Sequence, residues 1–123
     1  MGYSGVFVDP ERKVAHRIDV STRDWSDEIE KAVRCQWTDH ARRVIAGIPC
    51  IVFCDDVGLL KNRPVCLTGI ACPPLVGPCA IFACRPLDND WGSLTPEEID
   101  AILDHVVDGT ISDVCPYIVG WSC

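Results

Sequence analysis

Two residue types in this chain recur often enough to suggest chemistry. Nine cysteines run from Cys35 to Cys123, and the pair Asp55-Asp56 directly follows the apolar run Cys50-Ile51-Val52-Phe53-Cys54. Cysteines could supply a nucleophile, a zinc site or a disulfide framework, and clustered carboxylates could hold magnesium. Spacing weighs against each of these. Zinc modules place two ligands two to four residues apart on a turn, yet there is no Cys-x-x-Cys and no histidine pair at ligand spacing. Cys50 and Cys54 are four residues apart, but on a strand that separates them by about 13 Å at ~3.3 Å per residue. An odd cysteine count in a chain read as cytosolic also argues for reduced thiols. The expectation is cysteine as a small core hydrophobe, with no metal and no other cofactor.

The remaining reactive candidates are equally plain. A catalytic thiol needs a lowered pKa, as at a helix start, and no cysteine begins either predicted helix. His16 lies on what reads as the apolar face of a strand, with no orienting carboxylate identifiable. His40 and His105 adjoin Asp39 and Asp104, but neighbours on a helix do not face each other, so both read as surface. Asp55-Asp56-Val57-Gly58 has aspartate first and glycine fourth, as in a type I turn. Turn carboxylates accepting backbone hydrogen bonds are therefore favoured over a magnesium site built with Asp88 or Asp90. No phosphate loop, dinucleotide fingerprint or Gly-x-Ser-x-Gly occurs.

Glu97, Asp100, Asp104 and Asp108 form an acidic stripe on the second predicted helix, which Asp88, Asp90 and Asp113 could extend. A solvated face opposite the core is the plainer reading. The functional reading is a negatively charged surface for a protein partner, or a mimic of a phosphate backbone. Trp91 before that helix, and Trp121 near the end, suit either interface anchoring or core packing.

The elements that must position these residues follow from local patterns. YSGVFV (3–8) reads as a strand, Asp9-Pro10-Glu11-Arg12 as a turn, and 14–20 as a half-buried strand with Val14, His16, Ile18 and Val20 on one face. Residues 24–36 read as a helix burying Trp25, Ile29, Ala32, Val33 and Gln36, with Ser21, Thr22 or Asp24 as cap. Residues 38–45 lean to strand. The runs 50–54 and 79–84 read as neighbouring strands buried on both faces. Four prolines and two glycines break up 61–78, predicting a loop with at most one short edge strand. SLTPEEIDAILDHVVDG (93–109) is the clearest helix. It has Thr95 as N-cap, Pro96 first, Glu98 closing a capping box, Leu94 and Ile99 as staple, and Gly109 as stop. Residues 117–119 could add a last strand. The expected fold is a single α+β domain over 1–123, with a small antiparallel or mixed sheet of about four to six strands packed with two amphipathic helices.

Size and charge bound the rest. A chain of 123 residues, 48% hydrophobic, is long enough for one real core. Net charge is −7, from 11 basic and 18 acidic residues, which opposes direct nucleic-acid or anionic-membrane binding. No stretch approaches a membrane span, and MGYSGVFVDPERK lacks the features of a signal peptide. Both point to the cytoplasm.

Gly47, the apolar strand, Asp55-Asp56-x-Gly58-Leu59-Leu60, Pro73-Pro74-Leu75-Val76-Gly77 and Ser93-Leu94-Thr95-x-Glu97-Glu98-Ile99 together resemble a family of uncharacterised small domains carried by phages, plasmids and gut bacteria. The resemblance spans roughly residues 18 to 107 and rests on turns, caps and strands. It implies an accessory protein of a mobile element acting inside a bacterium, and it carries over no catalytic residue. The expectation is a non-enzymatic protein acting by protein contacts, inhibiting a host defence system in its sharpest form. The alternatives are a module that sequesters a small molecule and a hydrolase using Asp55, Asp56 and a metal. The N-terminal hairpin and the cysteine-rich C-terminus lie outside the resemblance, and a homodimer contact there stays open.

Overall fold

β4 (Ile48–Asp55) and β7 (Cys79–Arg85) are the centre of the molecule because each is apolar on both faces. They pair antiparallel with Val52 opposite Ile81, and side chains alternate between two cores. Cys50, Val52, Cys54, Cys79, Ile81 and Ala83 point into one; Ile51, Phe53, Ala80, Phe82 and Cys84 point into the other. The computed structural model describes residues 2–58, 60–70, 72–85 and 90–114.

The other strands build outward from this pair. β1 (Gly2–Asp9) and β2 (Val14–Ser21) form the expected hairpin, in register over eight residue pairs. β3 (Thr38–Ile45) forms a second hairpin with β4, so 38–45 is a strand as read. β5 (Val65–Ile70) and β6 (Cys72–Val76) pair antiparallel, and β9 (Ile111–Val114) lies parallel to β5 and antiparallel to β3. β8 (Asp90–Gly92) pairs with β7. The sheet order is β2-β1-β7-β4-β3-β9-β5-β6, with β8 beside β7. The α+β class and two helices stand. The expected sheet size does not: the described residues form nine strands in one mixed sheet.

The difference has local causes. Residues 61–78, expected as a loop, contribute β5 and β6. Pro73 and Pro74 are tolerated there because β6 ends the sheet among the described residues and its irregular pairing passes them by: Leu75 pairs with Leu67 and Cys72 with Gly69, and neither proline has a partner on β5. The second helix, α2 (Pro96–Leu103), is shorter than expected and Gly109 is not its C-cap. Asp108 and Gly109 both take positive φ, 53° and 76°, in a tight turn whose flanks Val107 and Thr110 exchange hydrogen bonds. That turn reverses the chain into β9, which was not foreseen. The expected strand at 117–119 lies outside the described residues.

Four strands separate β5 from β1 in the sheet order, yet the Cys66 thiol on β5 donates to the Val8 carbonyl of β1 at 3.7 Å. The sheet therefore curls back on itself around the first core. α2 closes that core with Ile99 and Ile102, and α1 (Trp25–Val33) covers the opposite face with Ile29 and Val33. Gln36, placed on the buried side of α1 by periodicity, is exposed beyond the helix end.

Candidate functional site

Asp55 ends β4 with its side chain 1% exposed. Its Oδ1 accepts from the Val57 N–H at 3.1 Å, the hydrogen bond expected of a turn aspartate, and Gly58 N–H closes the turn onto the Asp55 carbonyl. Its Oδ2 accepts from Lys61 Nζ at 2.9 Å and Arg63 Nη1 at 2.6 Å. Burial alone would raise this carboxyl. The hydrogen bonds from Lys61 and Arg63 outweigh it and hold Asp55 below the usual carboxylate range. Asp56 beside it is exposed.

Arg63 carries the contact further. Its Nη2 donates to the Val33 carbonyl at 2.9 Å, at the end of α1, and to Glu11 Oε1 at 3.0 Å. Arg34, in the left-handed C-cap of α1, reaches the same Glu11 and also Asp9 Oδ2 at 3.1 Å. Asp9 is fully buried and caps the β1–β2 turn, its Oδ1 accepting from the Glu11 and Arg12 N–H groups. Hydrogen bonds from Arg63, partly opposed by burial and reinforced by Arg34, lower Glu11 to about 2. Asp9, Glu11, Arg34, Asp55, Lys61 and Arg63 thus tie the first hairpin, the α1 terminus and the β4–β5 connection together. Every carboxylate in it already accepts from cations, which leaves this cluster poorly suited to an incoming metal. No group of three or more metal-ligand residues occurs among the described residues. Apart from Asp55, this network was not legible: its partners come from four elements, and only Asp9, a polar residue ending Val6-Phe7-Val8, gave any local hint.

Cys35, Cys50, Cys54, Cys66 and Cys79 are free thiols, and Cys50, Cys54, Cys66, Cys79 and Cys84 are buried. Burial pushes Cys50 and Cys54 up to about 12. A hydrogen bond with Cys66, together with burial, raises Cys79 well above an ordinary thiol. Such groups stay protonated and are poor nucleophiles. Cys35 is half-buried at the end of α1; its thiol donates to the Trp37 carbonyl at 3.3 Å and is raised by burial and by Asp55. Cys115 and Cys123 lie outside the described residues.

The acidic stripe divides. Glu97, Asp100 and Asp104 are exposed on or at the end of α2, and Asp108 is exposed in the turn that follows. Asp113 does not extend them. It is buried, with Oδ2 2.7 Å from Arg43 Nε. The two atoms are close but not aligned as a hydrogen bond. Arg43 spends its other nitrogens on the Arg42 and Pro73 carbonyls, and burial raises the Asp113 carboxyl despite the guanidinium. Asp88 lies outside the described residues; Asp90 is placed only as backbone in β8. Trp91 packs against Tyr3, Trp25, Phe53 and Phe82 at 4.5 to 5.2 Å between ring centroids, so it is a core-packing residue. Trp121 lies outside the described residues.

The histidines also have surface surroundings. His16 is exposed rather than on a buried face, stacked at 5.3 Å on Phe7 with Nδ1 2.9 Å from the Arg17 carbonyl. His40 and His105 are exposed. Two grooves lie among the described residues. One, of about 660 Å³, runs past Glu30, Lys31, Arg34, Cys35 and Lys61. The other, of about 350 Å³, lies between the Asp55–Gly58 turn and Pro74–Val76.

Comparison with protein-family models, curated proteins and solved structures finds no match. No helix among the described residues is long and apolar enough to cross a membrane.

Proposed function

We propose that this protein is a non-enzymatic accessory protein of a mobile genetic element. It works in the bacterial cytoplasm by binding another protein through the acidic face of α2, and its sharpest form is inhibition of a host defence complex. One observation carries the reading: Glu97, Asp100 and Asp104 are presented outward by a helix whose opposite face, Ile99 and Ile102, is fixed in the core. None of the ion pairs among the described residues engages these three carboxylates. With a net charge of −7, such a face favours a basic protein surface and fast, salt-sensitive association. The family resemblance supports the mobile-element context, and the consumption of Asp55 and the buried thiols by the fold makes catalysis the weaker reading.

Affinity capture from the native host tests this. The wild type should retain a specific protein that elutes with salt, and the triple variant Glu97→Gln, Asp100→Asn, Asp104→Asn should lose it. Equal capture by both would contradict the assignment to α2.

Sequestration of a small molecule is the second reading. The groove beside the Asp55–Gly58 turn favours it, since its lining sets Cys54, Val57, Leu75 and Val76 beside the carboxylates of Asp39 and Asp56, a mixed surface able to hold a small polar ligand. Native mass spectrometry of freshly purified protein separates the two: a retained small ligand supports sequestration, and bare protein removes it.

A further inference from the structure

The two ends of the sheet are not alike. β6 carries Pro73 and Pro74, and its pairing with β5 slips register twice, so that edge is blunted against further strands. Among the described residues β2 is the other end. It contains no proline and no bulge over eight residues, and from Val14 to Asp19 it is exposed or half-exposed.

The hydrogen-bond phase of β2 can be read from its neighbour. Segment 92–94 lies between β7 and β1: Gly92 pairs with Ala83, the Leu94 N–H donates to the Ser4 carbonyl at 2.9 Å, and the Ser4 N–H donates to Ser93 Oγ at 3.0 Å. Ser4 thus turns both main-chain groups away from β2. Its partner Asp19, and by alternation Ala15, Arg17 and Ser21, turn theirs away from β1, toward the open edge. Two independent contacts agree. The Ser21 N–H is taken by Glu28 at 2.7 Å, and the Arg17 carbonyl is approached by His16 Nδ1.

We infer that this edge pairs with the same edge of a second copy, antiparallel, with the two-fold axis through Ile18. That register puts Arg17 opposite Asp19 of the second copy and Asp19 opposite its Arg17. Both residues turn their N–H and C=O groups outward, so they form hydrogen-bonded pairs, while Ile18 meets Ile18 in the intervening non-hydrogen-bonded pair. The charges are self-complementary. Arg17 and Asp19 lie on one face of β2, with Nη2 and Oδ1 3.1 Å apart and side chains 52% and 60% exposed. Pairing assembles them into an alternating quartet. An edge protected by like charges would repel its copy; this one attracts it. On the other face, pairing covers Ile18. His16 must release the Arg17 carbonyl, which makes its imidazole a competitor of the second strand.

Charge swaps test the register. Sedimentation velocity on the wild type should show a monomer–dimer equilibrium. Arg17→Asp alone and Asp19→Arg alone each oppose like charges at both positions, and each should weaken dimerisation about tenfold or more. Mixing the two single variants restores opposite charges across the interface and should yield a heterodimer. An unaltered circular dichroism spectrum checks that each swap folds. Exchange of the Arg17 and Asp19 amide hydrogens in the wild type should slow with protein concentration, a readout that needs no variant. A wild type that stays monomeric to about 1 mM, a dimer indifferent to both swaps, or swaps that fail to associate when mixed would overturn the proposal.

Discussion

Arg63 Nη1 meets Asp55 Oδ2 at 2.6 Å, with the two side chains only 8% and 1% exposed. This contact joins the end of β4 to a chain segment that also holds Glu11 of the first hairpin and the last carbonyls of α1. A buried guanidinium with this many acceptors is a structural clamp: each of its donors has a fixed partner, and none is directed to a free ligand site.

Arg63→Ala should therefore be severe. It leaves Asp55 buried with only Lys61 as cationic partner and releases the Val33 carbonyl. Removing one member of a buried pair costs about 3–5 kcal/mol. Urea denaturation should show a loss in that range. A loss within about 0.5 kcal/mol of wild type, the range of an ordinary surface substitution, would refute the clamp.

Acid should unlock the same cluster. Glu11 has its folded pKa lowered from 4.5 to about 2 by Arg63 and Arg34. A lowered carboxyl binds fewer protons folded than unfolded, so its contribution is complete above about 4.5 and disappears as pH falls toward 2. Asp55, also lowered, acts in the same direction. Asp113 acts oppositely, because its folded pKa is raised and its penalty is relieved by protonation. Denaturation midpoints measured from pH 6 to pH 2 should fall on the acid side, and Glu11→Gln should flatten that fall.

The start of α2 offers a local test. Thr95 Oγ1 accepts the Glu98 N–H at 3.2 Å, and Glu98 Oε1 accepts the Thr95 N–H at 2.9 Å. Thr95→Ala removes one half of this capping box and should cost about 1 kcal/mol. Thr95→Ser should restore most of it, as read by thermal denaturation.

Gly69 of β5 pairs with Asp113 of β9. A Cβ added there would lie 1.9 Å from the Asp113 carbonyl oxygen and 2.4 Å from its carboxylate. Gly69→Ala should destabilise by about 1–3 kcal/mol through overpacking. It should also raise amide exchange in β5 and β9 more than in β4 and β7.

The parts legible in the sequence were those fixed by near neighbours. The Thr95–Glu98 capping box, the Asp9-Pro10 hairpin turn and the doubly buried runs at 50–54 and 79–84 each carry their signal within a few residues. What escaped depends on distant chain. β6 looks like loop because two prolines in a row argue against a strand unless it lies at the edge of a sheet or at a bulge, which only the distant pairing with β5 reveals. β9 was hidden because Asp108-Gly109 reads equally as a helix stop and as a tight turn, and only pairing with β5 distinguishes them. The same holds for the charged cluster. The Asp55 turn is local, but Arg63 and Arg34 reach their carboxylates across 8 and 25 residues of chain. No spacing rule announces such partners.

Site-resolved alkylation of the native protein tests most directly whether the reactive-looking residues are absorbed by the fold. At pH 8 and in reductant, Cys50, Cys54, Cys66, Cys79 and Cys84 should react with iodoacetamide only as fast as the protein unfolds, and all at once in denaturant. Rapid modification of Cys50 or Cys79 in the folded protein, at the rate of a free thiol, would contradict it.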